Sequence, residues 1–327
     1  MMTRTLLLKF WRDARWLLLG CCSVVSLFAM LRVWIVSQLD TQRFRQILEL
    51  LPTDFRKLSP VDFDWAVSYT GRLSFLFEEP LVHLCLFVWC IARGSDAVSG
   101  ELDRGTGEIL FSQPLSRRRY LVLHIATTLL GVLTISTAVW LGQWVGIQLF
   151  SAKQLVYPSL SLGAPTWSVP LPFLEPEERL TPMRELANPY AMIPAAAVYA
   201  GLGMLIASVA TLASALDRLR WRTIGIATGF YIVQAILKIL GTMVEPLGFL
   251  EYATIFSLFE PEKLVAVADL HPPATWSFWL DASAQEAATV GPGLGAGGAL
   301  CCLVVLSSTL FALAVASFHR RDLPAPV

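Results

Sequence analysis

The stretch Tyr120–Phe150, YLVLHIATTLLGVLTISTAVWLGQWVGIQLF, contains no Asp, Glu, Lys or Arg in 31 residues. A helix that crosses a bilayer needs about 20 mostly apolar residues, because the hydrocarbon core is about 30 Å thick and every backbone polar group must be satisfied within the segment. This stretch therefore predicts a membrane-spanning helix that is long enough to cross with tilt and still project beyond the bilayer.

The rest of the chain has the same apolar character, since 55% of its 327 residues are hydrophobic and only 15% are charged. We predict an all-α membrane protein with one membrane domain over residues 1–327. The basic start MMTRTLLLKFWRDARW predicts an N-terminal interfacial helix and an uncleaved anchor, because no small-residue cleavage site follows it. The predicted spans are 16–36, 76–92, 120–150, 189–216, 223–244 and 296–318.

The Lys and Arg residues outside these spans predict the orientation. With the N-terminus inside, the cytoplasmic segments carry fourteen Lys and Arg and the outer segments nine. Cytoplasmic segments carry the excess of basic residues in membrane proteins. We therefore expect a multi-pass protein of the cell (inner, cytoplasmic) membrane with both termini in the cytoplasm. The formal net charge is zero, so no global field favours nucleic acid as a partner.

One predicted cytoplasmic segment has a dense mixture of charges. Gly100–Tyr120, GELDRGTGEILFSQPLSRRRY, carries seven formal charges in 21 residues. Thr106 is a candidate N-cap, Glu108 falls in the following first turn, and Pro114 ends the helix. These signals predict a short amphipathic helix suited to docking onto another protein. An ordinary solvated loop, whose basic residues only set the topology, is the alternative.

The order of residues in this segment resembles the E-x-x-x-G-T-x-E-x-L-x-x-x-P-x-S-R signature of ABC-2 type transporter permeases. The tail FHRRDLPAPV is similar to their F-x-R-R-D ending, and LLLKFWRDARW is similar to their N-terminal interfacial helix. The chain departs from the family where Asp103 and Arg104 stand, since many members carry a second glutamate nearby. The residues that match the signature or lie within it are Glu101, Asp103, Arg104, Gly105, Thr106, Glu108, Leu110, Pro114 and Arg117.

The resemblance implies the permease subunit of an ABC transporter, in most members an exporter, that is not itself catalytic. In that family the segment, here residues 95–119, forms a cytoplasmic coupling helix that contacts the ATP-binding subunit. The implied partners are two copies of a separate ATP-binding subunit, a second permease protomer that is the same or homologous, and membrane lipid. No G-x-x-x-x-G-K-[ST] motif occurs, so we expect this chain to bind no cofactor and the partner to use ATP.

Three other functions are weighed against this one. An ion-gradient-driven secondary carrier predicts inverted repeats and broken helices in pairs, which the sequence does not show. An intramembrane hydrolase predicts motifs such as H-E-x-x-H or G-x-S-x-G, which do not occur. A non-transporting membrane scaffold stays open. The six cysteines lack the spacing and the histidines of a zinc site, so no metal is expected.

A second set of candidate site residues lies in the fifth predicted span. An ammonium group inside a span is costly and often functional. Gln234 precedes Lys238 by one helical turn, and Glu245 follows it by about two turns on roughly the same face. These three residues predict either a polar cluster in the translocation path or an interhelical contact that fixes packing.

Overall fold

The computed structural model describes residues 2–39, 61–105, 116–156, 159–161, 168–170, 177–288 and 293–321. Six helical segments in these ranges are long and apolar enough to cross a bilayer, and each overlaps one predicted span. This confirms the predicted class, an all-α membrane protein with six spans. We name the segments spans 1 to 6: Thr5–Gln38, Tyr69–Asp103, Arg117–Leu149, Pro189–Leu216, Arg220–Met243 and Ala296–Arg320.

Shorter elements connect the spans. The connecting α-helices are Phe63–Val67, Met183–Leu186, Pro261–Leu270 and Ala282–Ala288. The connecting 3₁₀ helices are Glu245–Ala253, Ile255–Leu258 and Pro272–Ala274. Between spans 3 and 4, strand β1 (Ser151–Val156) pairs antiparallel with β4 (Glu177–Pro182), and β2 (Ser159–Ser161) pairs with β3 (Ser168–Pro170). These strands lie where no strand was predicted from the sequence.

Span 1 belongs to a single helix, Met2–Gln38, which also includes the predicted interfacial helix. Its 37 residues correspond to a length of about 55 Å at 1.5 Å per residue. That length exceeds a hydrocarbon core of about 30 Å. The basic N-terminal turns therefore extend the spanning helix beyond the apolar core instead of forming a separate element.

Span 2 is irregular at both ends. It begins as the α-helix Tyr69–Ser74 and the 3₁₀ helix Phe75–Glu78, and it restarts as Pro80–Ser95. Proline lacks an N–H donor and forces the preceding residue out of the helical region, and Glu79 accordingly has ψ 132°. At the other end, Asp96–Gly100 forms one turn of π-helix before the short helix Glu101–Asp103.

Span 4 is the most buried of the six and packs against spans 2, 3, 5 and 6. Its sequence is rich in Ala and Gly, which lets neighbouring helices approach closely. A methyl group built on Gly203 would lie 2.8 Å from Leu86 Cδ1 of span 2 and 2.8 Å from Val132 Cγ1 of span 3. The small residues of span 4 therefore place it at the centre of the bundle.

Two GxxxG pairs in the chain have different surroundings. A methyl group on Gly142 of span 3 would lie 2.6 Å from the Ser26 carbonyl oxygen of span 1, and one on Gly146 would lie 2.9 Å from Val33 Cβ. In contrast, methyl groups on Gly225 and Gly229 of span 5 would have no described atom within 4 Å. The first pair brings two spans together, whereas the second faces outward.

Candidate functional site

The predicted coupling residues begin at the end of span 2. Glu101 and Asp103 lie in its last helical turn, and Arg104 and Gly105 follow it. Arg117 is the first residue of the span 3 helix. The other four predicted coupling residues, Thr106, Glu108, Leu110 and Pro114, lie outside the residues that the structure describes.

Glu101 lies in an ion-pair network that joins three spans. Its side chain is buried and accepts a hydrogen bond of 3.0 Å from Lys9 Nζ of span 1. Arg104 Nη2 lies 3.4 Å from Glu101 Oε1, while Arg104 Nη1 donates to Asp96 Oδ1 at 2.7 Å. Arg220 Nη1 of span 5 lies 3.5 Å from the same Asp96 oxygen. We call Lys9, Asp96, Glu101, Arg104 and Arg220 the charged cluster.

The hydrogen bond from Arg104 to Asp96 raises the pKa of Arg104 above its ordinary value. The structure thus directs Glu101 and Arg104 toward other residues of the same chain, although the signature suggested them as polar contacts for a partner. Asp103 is exposed at the same end. Of the described signature residues, Asp103 is therefore the acid that is open to a partner.

The π-helical turn places Asp96 and Glu101 on the cluster, and hydroxyl groups hold this turn in place. Ser214 Oγ of span 4 accepts hydrogen bonds from Val98 N at 3.0 Å and Ser99 N at 2.9 Å. Ser99 Oγ lies 3.1 Å from Thr223 Oγ1 of span 5. Single π-helical turns within α-helices are frequent at functional sites. The irregular turn is therefore bonded to two other spans.

Gly105 ends span 2 in a conformation that favours glycine. Its φ is +71°, and its N–H donates to the Leu102 carbonyl oxygen at 3.1 Å. A left-handed residue after the last helical turn is a common helix C-cap. Gly105 therefore ends the helix of span 2, one residue before the proposed N-cap Thr106.

Arg117, on the far side of the segment, contacts the C-terminal end of span 6. Its Nη1 donates to the Arg321 carbonyl oxygen at 2.6 Å. In turn, Arg321 Nη1 donates to the carbonyl oxygens of Ala215 and Asp217, each at 3.0 Å, where span 4 ends. The second arginine of the tail motif thus caps span 4, a contact that was not predicted from the sequence.

The network also includes residues that sequence reasoning missed. Lys9, Asp96 and Arg220 each lie near the end of an apolar stretch, where a charged residue is usually read as a topology signal. The buried guanidinium of Arg93 lines the same cavity as the cluster. These residues come together only when the helices pack. In the sequence, their positions near the ends of spans were therefore the only sign that they interact.

The residues of the second predicted site lie toward the other end of span 5. Lys238 is 18 residues after Arg220, about 27 Å along a helix. Lys238 Nζ donates to Glu251 Oε1 at 2.7 Å and to Glu260 Oε1 at 3.2 Å. Gln234 Oε1 accepts from Ile255 N at 2.9 Å. The side chain of Glu245 lies outside the described residues.

Gln234 and Lys238 therefore hold the segment after span 5 against that span. The contacts fit the packing interpretation, but Lys238 also lines a cavity of about 620 Å³ between spans 2 and 5. The cavity wall is mostly apolar and aromatic. We call it the aromatic cavity; it is lined by Glu78, Pro80, His83, Leu84, Phe87, Thr228, Tyr231, Ile232, Ala235, Lys238, Ile239, Phe256 and Phe259.

A buried carboxyl group lies beside this cavity. Glu262, in the connecting helix Pro261–Leu270, is only 2% exposed. Burial, together with the neighbouring carboxyl groups of Glu78 and Glu260, raises the pKa of Glu262 to about 9. Like charges in a site of low polarity disfavour a second ionised carboxylate. The protonated form of Glu262 is therefore favoured, and its carboxyl group hydrogen-bonds to that of Glu78.

In the described part of the chain, no group of three or more His, Cys, Asp or Glu residues is placed to hold a metal ion. All six cysteines are free, so none is held in a disulfide. No protein-family model and no curated protein matches the chain. Function is therefore inferred from the charged cluster and the aromatic cavity.

Proposed function

We propose that this chain is the permease subunit of an ABC-2 type transporter, an exporter of the cell membrane with both termini in the cytoplasm. A separate ATP-binding subunit, present in two copies, docks on residues 95–119, and a second protomer completes the translocation path. The observation that carries the proposal is the charged cluster. It links the start of the docking segment directly to spans 1 and 5.

The two ends of the docking segment are both anchored. Glu101 and Arg104 bond to Lys9 and Asp96 on one side, and Arg117 bonds to the carbonyl of Arg321 on the other. A force applied to a segment with anchored ends moves the helices that anchor it. A partner shifts a conformational equilibrium only through contacts that differ between the two states, so the proposal requires that the contacts of the charged cluster change when the ATP-binding subunit docks.

The aromatic cavity supports a transport role. It lies between spans 2 and 5, and both of these spans also carry residues of the charged cluster. Phe87 and Tyr231 approach across it with ring centroids 4.5 Å apart. A change in the separation of spans 2 and 5 at the charged end therefore changes the width of this cavity. Mostly apolar pockets with a few polar groups are typical ligand sites.

The docking segment is tested by purification of the tagged chain from its native membrane in mild detergent. We expect an ATP-binding chain, identified by mass spectrometry, to co-purify and to hydrolyse ATP. The double replacement Asp103→Lys/Glu108→Lys should remove that chain from the complex, because it reverses the charge of two acidic side chains in the docking segment. Glu185→Lys, an exposed acid next to β4, should not. Purification without any ATP-binding chain contradicts the proposal.

One observation favours the secondary carrier as a second candidate. The Glu78–Glu262 pair beside the aromatic cavity holds a proton at neutral pH, and carriers driven by a proton gradient use such carboxyl groups. Reconstitution separates the two functions. Transport of fluorescent lipophilic cations into or out of vesicles that depends on ATP favours the permease. Transport that depends on an imposed pH gradient without ATP favours the carrier.

A further inference from the structure

The aromatic cavity has rings from three elements on its wall. Phe87 belongs to span 2, Tyr231 to span 5, and Phe256 to the connecting 3₁₀ helix Ile255–Leu258. All three residues are only partly buried. The ring centroid of Tyr231 lies 4.5 Å from that of Phe87 and 5.5 Å from that of Phe256. The volume of about 620 Å³ is large enough for a drug-sized molecule among these rings.

One acidic side chain lines this cavity without a basic partner. Glu78, the last residue of the 3₁₀ helix Phe75–Glu78, is exposed. Among the described residues, no Lys, Arg or His forms an ion pair with it. Its neighbour Glu262 is buried and hydrogen-bonds to it. In its favoured protonated form Glu262 is neutral, so this bond does not cancel the negative charge of Glu78.

The ammonium group on the cavity wall is already neutralised. Lys238 Nζ lies 2.7 Å from Glu251 Oε1 and 3.2 Å from Glu260 Oε1. Glu260 Oε2 lies in turn 2.6 Å from Lys263 Nζ. These four side chains carry two positive and two negative charges, which balance. The excess charge at the cavity is therefore the negative charge of Glu78.

The rings and the unbalanced acid together specify the chemistry of a ligand. The face of an aromatic ring attracts a cation, and a carboxylate attracts the same charge. The mostly apolar wall suits a ligand with an apolar body. We propose that the aromatic cavity binds an amphipathic organic cation, with its charge beside Glu78 and its apolar body against the aromatic rings. That this cation is the exported substrate rests on the proposed transport function, whereas the binding site does not.

The surroundings give such a ligand a route from the membrane. Leu84 of span 2 lines the cavity and is 53% exposed, and Ile232 and Ile239 of span 5 line it and are 50% and 59% exposed. Exposed apolar side chains in the middle of a spanning helix contact lipid. An amphipathic cation that has partitioned into the bilayer therefore reaches the cavity between spans 2 and 5 without passing through the bundle.

Binding is measured on the full-length chain in detergent by equilibrium dialysis, with protein-free micelles as the background. The probe is radiolabelled methyltriphenylphosphonium, a cation with three phenyl rings. The competitor is triphenylphosphine oxide, which has nearly the same shape and no net charge. Wild type should bind the cation saturably, and the oxide should displace it at least about tenfold more weakly than the unlabelled cation does. Absence of saturable binding, or equal displacement by the two compounds, overturns the proposal.

The variant Glu78→Gln separates charge from shape. Glutamine keeps the size of the side chain and an oxygen that accepts from Glu262, but it removes the charge. The affinity for the cation should fall by about threefold or more, while the unfolding midpoint without probe should stay near that of wild type. The matched control is Glu185→Gln, at an exposed acid next to β4 that does not line the cavity. It should bind as wild type does. Wild-type affinity in the folded Glu78 variant overturns the proposal.

A pair of variants at Tyr231 serves if the Glu78 variant does not fold. Tyr231→Phe keeps the ring and should keep the affinity of wild type. Tyr231→Leu removes the ring and should lower the affinity for the cation by about threefold. Equal affinity of these two variants overturns the proposal. The assay needs no ATP-binding subunit, so failed binding leaves the permease proposal standing. Purification without an ATP-binding chain likewise leaves the binding site standing.

Discussion

Lys9 Nζ lies 3.0 Å from Glu101 Oε1, and this contact joins residues that are 92 positions apart in the chain. Lys9 stands in the basic N-terminal turns of span 1, and Glu101 stands where span 2 gives way to the proposed docking segment. An acid that the sequence suggested as a contact for another protein is thus bonded within its own chain. Because of this bond, a movement of the docking segment also displaces span 1.

Replacement of Glu101 by Gln should destabilise the protein. The change leaves Lys9 and Arg104, which are themselves partly exposed to solvent, next to a neutral amide at the buried position 101, which costs about 1 kcal/mol. The midpoint of thermal unfolding in detergent should fall by several degrees. Asp103→Asn, in the same turn but exposed, is the control and should change stability by no more than about 0.5 kcal/mol. If the unfolding midpoint falls equally in the two variants, the Glu101–Lys9 bond does not contribute to stability beyond what an exposed acid does.

Stability should fall as pH rises from about 5 to 9. In this window the unfolded chain has released the Glu262 proton, whereas the folded chain keeps it, because the folded pKa is raised to about 9. Each rise of one pH unit in this window therefore lowers the free energy of unfolding by up to about 1.4 kcal/mol. Glu262→Gln, which stays neutral, should flatten the dependence of the unfolding midpoint on pH. Glu286→Gln, at an exposed acid, should leave the slope of wild type intact.

The two GxxxG pairs should respond differently to the same substitution. Gly142→Val places a side chain against the Ser26 backbone and should cost about 1–3 kcal/mol through overpacking. Gly229→Val meets no described atom within 4 Å, so it should not destabilise the monomer. Thermal unfolding in detergent measures both variants. If Gly142→Val and Gly229→Val destabilise the protein to a similar degree, the conclusion that Gly229 faces outward is wrong.

Replacement of Lys238 by Met should loosen the segment after span 5. The change removes both ion pairs of Lys238, and Glu251 loses its partner at 2.7 Å while Glu260 keeps Lys263 at 2.6 Å. Hydrogen exchange of residues 245–258 should become faster, because their contact with span 5 is weakened. Lys153→Met, on strand β1, is the control. If hydrogen exchange of residues 245–258 is unchanged in the Lys238 variant, Lys238 does not hold this segment against span 5.

The six spans were predictable because the cost of burying unpaired backbone polar groups in lipid acts on each segment alone. A run such as Tyr120–Phe150 needs no partner to be recognised as a helix. Helix caps are local in the same way: at the start of span 4, Asn188 Oδ1 accepts a hydrogen bond from Tyr190 N, with Pro189 between them. The strands β1 to β4 were missed, since short polar strands between spans have no strong period.

The candidate sites were predictable only in part. The acids of Gly100–Tyr120 were predicted to contact a partner, but Glu101 bonds to Lys9, which comes from a distant part of the chain. Helix spacing predicted Glu245, whose side chain lies outside the described residues, as a neighbour of Lys238; it gave no sign of the contacts with Glu251 and Glu260. Spacing along one helix says nothing about a segment that folds back onto it.

The sequence by itself determined the membrane class, the number of spans and the position of the charged segment, because these depend on the solvation of contiguous residues. The tertiary structure decided which charges meet. Lys9, Asp96, Glu101, Arg104 and Arg220 converge because spans 2 and 5 both pack against span 4, while span 1 packs against spans 2 and 3. Ion pairing depends on distances of a few ångströms between separate helices, and packing sets those distances.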